Sequence, residues 1–298
     1  MKFGQVDNPE EVDFTIPPDH PDTKRVLASA KAKDLEVYVG CAKWNSKDLK
    51  GFYPKGVKAK DELHYYSTQF NSIELNATFY KRYWENNYTA WREGVVDSFK
   101  FFPKFNQGVT HYSRLKDVDE RCEQFAENVS FLREKLGMPF LQMHDNFGAG
   151  GFERVENFVN NVWTHDIPIA MEFRRSEWHT DPDISTRLYA LLENAGIANI
   201  LVDTAGRRDL MHMRLTTPVA FIRWVGANHE SDKPRLDEWV TRIAKWKKAG
   251  LEKLYFFVHQ NVEEESPLLS AYFIEKLNKK VKTDLHVPQM LAGSPSND

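Results

Sequence analysis

The sequence predicts a single (β/α)8 barrel, an α/β TIM barrel carrying an N-terminal extension, on three observations. Eight short apolar runs alternate with helix-period stretches, an order that demands a parallel sheet, and eight units favour closure over an open doubly wound sheet. The chain has 298 residues, room for a barrel of about 250 plus extensions. Its composition, 41% hydrophobic with eight Trp and twenty Phe, fills a large interior, while 28% charged residues supply a solvated exterior.

Residues 1–34 are polar, with Ile16-Pro17-Pro18-Asp19 as a turn signal and 23–32 as a short helix, and are expected to pack on the barrel as an extension. The barrel itself spans 35–284. Strands are expected over 35–42, 70–76, 99–105, 139–143, 167–173, 197–203, 219–224 and 253–258. Helical periodicity covers 58–69, 85–93, 117–136, 153–163, 182–194, 236–249 and 266–280, and no convincing helix follows Asp203. Gly137, Gly196 and Gly250 stand just past helix ends, where a positive φ is wanted. Residues 285–298 have the composition of a tail.

The formal charge of −3 gives no global field to draw the chain onto duplex DNA or an anionic membrane, so any nucleic-acid contact needs a local basic patch. Cys41 and Cys122 form no C-x-x-C pair and suggest neither a disulfide framework nor a zinc site, which suits a reducing cytoplasm. The first residues carry no apolar signal core, and no apolar run approaches the ~20 residues of a membrane span. A soluble cytoplasmic protein is expected, with no membrane partner. The run from Gly51 to Lys58 fails as a P-loop because Val57 follows the second glycine and Pro54 removes an amide; Gly148-Ala149-Gly150-Gly151 fails the dinucleotide fingerprint at Glu153. Neither a G-x-S-x-G elbow nor an H-E-x-x-H pair occurs.

The strand ends carry the chemistry. In a barrel they share one rim, and here they finish on Lys43-Trp44, Glu74-Leu75-Asn76, Lys104, Gln142-Met143-His144-Asp145, Glu172-Phe173-Arg174, Asp203, Arg223-Trp224 and His259-Gln260. Period-two alternation puts Glu74 with Asn76, and Glu172 with Arg174, on one face; if Ile73, Leu75, Met171 and Phe173 face the helices, the polar partners face the axis. Buried charges need partners, so Glu74, Glu172 and Asp203 are expected to meet Lys43, Lys104, Arg174 and Arg223. Taken singly, each such residue reads equally well as a polar cap where a strand leaves the core.

These residues also carry a resemblance. Val39-Gly40-Cys41-Ala42-Lys43-Trp44, Phe52-Tyr53-Pro54, the block from Phe70 through Glu74, Asn76 and Phe79 to Tyr80, Phe102-Pro103-Lys104, Thr110-His111, Phe140-Leu141-Gln142, Glu172-Phe173-Arg174 and Trp178 resemble the YecE-like family, domain of unknown function seventy-two, over about residues 35–280. The resemblance implies a TIM-barrel fold with a site at the strand-end rim and no established activity. The sequence departs from the family pattern at Trp224-Val225-Gly226, where His-Gly commonly follows the arginine, at His259-Gln260, where paired asparagines are usual, and at Gln142-Met143-His144, where a proline is commoner.

The expected function is an enzyme acting on an anionic, phosphorylated substrate, a nucleotide or nucleic-acid fragment among them. Lys43, Lys104, Arg174 and Arg223 would bind the anion, Glu74 or Glu172 would act as general base and His111 as acid. Trp44, Asn76, Tyr80, Gln142, Asp203 and Trp224 complete the expected substrate contacts, with Trp44 and Trp224 suited to stacking on a base or sugar. A second reading pairs Glu74 with Glu172 for carbohydrate chemistry, and a third is a non-catalytic binder of single-stranded nucleic acid or a metabolite. His111, His144, His179, His229 and His259 could join the carboxylates around a divalent metal, but the four neighbouring basic groups disfavour a cation.

Overall fold

The computed structural model describes residues 4–31 and 34–290, so parts of the expected extension and tail lie outside the described residues. Among the described residues nine strand segments occur: β1 (Glu36–Cys41), β2 (Ser72–Leu75), β3 (Lys100–Pro103), β4 (Phe140–Gln142), β5 (Ala170–Glu172), β6 (Ala198–Asn199), β7 (Leu201–Thr204), β8 (Val219–Val225) and β9 (Lys253–His259). All their pairings are parallel, in two arcs ordered β3-β2-β1-β9-β8-β7 and β4-β5-β6.

The arcs meet at two seams. At one, β6 and β7 are a single extended stretch interrupted at Ile200: Ala198 pairs with Ala170 of β5, and Leu201 with Ile222 of β8. At the other, isolated parallel bridges join Phe101 to Leu136 and Lys104 to Phe140, and the Phe105 N–H donates to the Phe140 carbonyl at 2.9 Å. The architecture is the expected (β/α)8 barrel with its ladder thinned at these points, β6 and β7 together serving as the sixth strand.

Helices α1 (Pro21–Leu27), α2 (Glu62–Gln69), α3 (Ala77–Tyr80), α4 (Glu85–Glu93), α5 (Asp119–Ser130), α6 (Phe152–Asn157), α7 (Glu177–Thr180), α8 (Pro182–Asn194), α9 (Asp232–Ala249) and α10 (Ser266–Val281) complete the framework. Their ends follow local chemistry. Asp181 caps α8 by accepting from the Asp183 and Ile184 amides, with Pro182 at the first helical position. α9 stops at Gly250, whose φ of +114° excludes most residues and whose missing side chain admits the Leu27 carbonyl.

Several boundaries differ from the sequence expectation. Residues 117–136 divide into α5 and a 3-10 turn at Arg133–Lys135, 153–163 passes from α6 into a π-helical turn at Phe158–Val162, and a 3-10 segment, Ala205–Leu210, follows the sixth strand. Gly137 has no positive φ; a side chain there would press on the Phe101 carbonyl and Phe102 ring, so close approach explains it instead. Residues 285–290 are tied down where a tail was expected: the Leu285 amide donates to Asn278 and the Gln289 amide to Gln69, each at 3.0 Å.

Alternation divides the strand residues into two apolar shells. Phe102, Phe140, Ala170, Val202, Phe221 and Phe257 fill the barrel, while Ile73, Leu75, Met171, Phe173, Ile222 and Trp224 pack against the helices. The extension lies across α9: the Ile16 amide donates to Glu238 at 3.0 Å and Arg242 donates to Asp19 at 2.6 Å. Among the described residues no helix is long and apolar enough to cross a membrane.

Asp203 belongs to the outer shell, and the expectation that it faces the rim is corrected. Val202 takes the inward position, so the fully buried Asp203 carboxylate turns toward α9, where it accepts from Arg235 at 2.8 Å, from Trp239 Nε1 at 2.7 Å and from Arg208. Burial would raise its pKa, but Arg235 and Arg208 together hold it below the ordinary value. Removing it leaves Arg235 deeply buried with Asp232 alone. Asp203→Ala should therefore lower unfolding stability by about 3–5 kcal/mol in urea denaturation, and a loss under about 1 kcal/mol would contradict this role.

Candidate functional site

The inward positions nearest the carboxyl ends of the strands are polar, and they converge on one guanidinium. Arg223 lies on β8 between the outward-facing Ile222 and Trp224, which directs its side chain into the barrel above Phe221. Its Nε and Nη2 donate to the two oxygens of Glu74 at 2.8 and 2.9 Å, a bidentate pair. Its Nη1 donates to Glu172 at 2.6 Å and to Gln142 Oε1 at 3.2 Å. Strands β2, β4, β5 and β8 thus contact one another through side chains that span the barrel.

A second tier completes the cluster. Glu74 also accepts from Asn76 at 2.9 Å and lies 3.0 Å from His259 Nε2. Arg174 Nε donates to Glu172 at 2.6 Å and its Nη1 to Asp145 at 3.0 Å. Lys104 Nζ donates to Gln142 Oε1 at 2.9 Å and sits 4.2 Å above the Phe79 ring. Gln142 Oε1 therefore accepts from two cations, which fixes which way its amide points. His111 packs edge-on to Phe79 with centroids 4.8 Å apart, bonds Thr110 Oγ1 through Nδ1, and faces His144 at 5.0 Å.

The charge states follow from this wiring. Burial alone would raise both carboxylates, but Arg223 outweighs it, with His259 reinforcing the effect at Glu74 and Arg174 at Glu172. Glu74 is held well below the usual carboxylate range and Glu172 falls to about 2. Lys104 behaves in the opposite sense. It is 7% exposed and, among the described residues, pairs with no carboxylate. Burial, aided by the Arg223 charge, lowers it to about 7. His111 is brought to about 4 by burial and then by Lys104, so it is neutral at pH 7.

The structure brings together Glu74, Asn76, Lys104, Gln142, Glu172, Arg174 and Arg223, with His111 beside them across Phe79. It separates others. Lys43 pairs with Asp48 at 3.3 Å with 43% of its side chain exposed, so it does not meet Glu74. Trp44 packs against the outer apolar shell, edge-on to Trp91. Trp224 is wholly buried in that shell beneath α9 and offers no face to a ligand, because its position alternates outward from Arg223. Tyr80 is 69% exposed at the end of α3, next to Phe79. Asp203 lies under α9, as described above.

His259 and Asp145 join the cluster although no substrate role was expected of them. Both stand at strand ends in the sequence, which is the signal that places them. The paired-carboxylate reading loses its geometry, since Glu74 and Glu172 share the Arg223 guanidinium where a sugar would have to sit. Among the described residues no three or more His, Cys, Asp or Glu side chains are grouped as metal ligands.

Comparison with known proteins supports the fold and identifies the family. Residues 38–292 match the family model described as "Protein of unknown function DUF72". The chain is 24% identical over 263 residues to UPF0759 protein YecE of Escherichia coli K12, covering 82% of this chain and 93% of that one. It is 30% identical over 156 residues to UPF0759 protein YunF of Bacillus subtilis 168, covering 49% and 53%. Crystal structures of DUF72 family proteins align with TM-scores of 0.64 for one from Thermotoga maritima MSB8 and 0.65 for one from Enterococcus faecalis V583. The first is 24% identical and covers 82% of this chain and 99% of its own; the second is 15% identical and covers 85% and 100%. With more than half of its length matched by the family model, the chain belongs to the DUF72 family of proteins of unknown function.

Proposed function

We propose that this chain is an enzyme whose active site is the Arg223-centred cluster, and that its substrate carries an anionic, phosphorylated group that meets Lys104. The observation that carries this reading is the imbalance among the cations. Arg223 and Arg174 each hold two carboxylates, whereas Lys104 is about as buried as Arg223 and holds none. A buried ammonium without a counter-charge is costly, and an anion arriving beside it supplies the missing partner.

The same imbalance reassigns the proton chemistry. Glu172 at about 2 and Glu74, held lower than its ordinary value, are weak bases tied to Arg223; they hold the guanidinium in place. His111 at about 4 carries no proton to donate at neutral pH until an anion raises it. Lys104, at about 7, is matched to proton transfer near neutrality. In this reading Lys104 binds the anion and moves the proton, and Arg174 at the mouth of the cluster orients the substrate.

Two outcomes follow. Anion binding favours protonated Lys104, so affinity should rise as pH falls through about 7, with net proton uptake on binding at pH 8. Calorimetry with adenosine 5′-monophosphate and with pyrophosphate, in buffers of different ionisation heat, measures that uptake; equal affinity and uptake in Lys104→Met would sink the reading. The same variant removes a desolvated amine and keeps its bulk, so its stability in urea should stay within about 1 kcal/mol of wild type or exceed it. A larger loss would mark Lys104 as a structural residue.

A further inference from the structure

We infer a second anion site, outside the Arg223 cluster, in a cavity of about 190 Å³ between the segment that follows α3 and the face of α5. Its ligand is a compact phosphate-bearing anion. The inference stands on residues separate from the proposed active site and does not depend on that reading.

The cavity is lined by cations that no described carboxylate neutralises. Lys81, Arg82 and Arg121 all contribute to its lining, and among the described residues none of them forms an ion pair. Their protein contacts leave charge to offer: Lys81 lies over Tyr83 and Arg82 over Trp84, at 4.7 and 3.7 Å from the ring centroids, and Arg121 donates one bond to Ser113 at 2.6 Å. This contrasts with the barrel centre, where both arginines are engaged by carboxylates, and it occurs in a chain whose net charge is −3.

The wall of the cavity adds donors that lack partners. Arg121, Gln124 and Asn128 recur at helical spacing on one face of α5. Asn128 is only 8% exposed, yet its side-chain amide makes no hydrogen bond to any described residue, and neither does the Gln124 amide. Tyr88, 2% exposed, also lines the cavity, and its hydroxyl bonds no described residue. These groups reach the cavity's solvent, and a ligand that supplies acceptors would take the place of that water.

Size and charge select the ligand class. The volume lies below the ~300–1,000 Å³ of pockets for drug-sized molecules, which suits a compact group. Three cations with amide and hydroxyl donors match the oxygens of a phosphate dianion. The adjoining groove, which shares Gln124 and Asn128, carries Glu85 and Glu127 and repels anions, so the favourable seat is the inner cavity.

The test uses the full chain carrying Lys104→Met, so that the Arg223 cluster does not contribute, and glycerol 3-phosphate as probe in calorimetry at low salt. Binding is expected, and adding Lys81→Ala and Arg121→Ala, both at exposed positions that keep the fold intact, should weaken it about tenfold or more. Absence of binding in the Lys104→Met chain, or equal affinity after the two further changes, would overturn the second site.

Discussion

Arg223 is the interaction on which the upper half of the barrel depends. Its guanidinium is 6% exposed in residue terms, and a charge in that position is tolerable only because Glu74 and Glu172 meet it from strands on different sides of the barrel. The arrangement is self-consistent in both directions. The carboxylates stay ionised because of the arginine, and the arginine is held in one plane because three of its nitrogens are fixed. The interior is thereby divided into an aromatic lower layer around Phe102, Phe140, Phe221 and Phe257 and an ionic upper layer.

That division sets what the cluster can do. Because the carboxylates are engaged by Arg223 and Arg174, the remaining buried cation, Lys104, contacts an amide oxygen and an aromatic face, and Glu74 and Glu172 act on it only from beyond ion-pair distance. Two charges of the same sign, Lys104 and Arg223, share Gln142 Oε1. The result is a lysine poised between protonation states, of the kind that enzymes obtain by burial beside another cation. Stability alone would favour an apolar residue there, and the retained amine is the cluster's departure from good packing.

Much of this was legible in the sequence. Alternation places Glu74, Gln142, Glu172 and Arg223 inward because each is flanked by large apolar residues, such as Ile73 and Leu75 or Ile222 and Trp224, that the helices must cover. The same rule, applied to Trp224, puts it outside the barrel, and to Asp203, outside it as well, since Val202 is the inward residue. Both were misjudged from their nearness to strand ends, when their parity along the strand decides. Pairings were harder to read. Arg208 and Arg235, the partners of Asp203, sit in a 3-10 segment and on α9, and no local periodicity links them to a strand. Lys43 lies past the end of β1, where the chain turns toward Asp48 and alternation no longer applies.

The chemistry of the cluster turns on the protonation of one amine, Lys104. Measuring the titration of Lys104 in the folded, ligand-free chain, by NMR of its side-chain carbon next to the nitrogen and assigned with Lys104→Arg, is the most direct check. The predicted midpoint is about 7; a midpoint near the ordinary 10.5 would contradict the claim that Lys104 is a buried cation with no carboxylate paired to it.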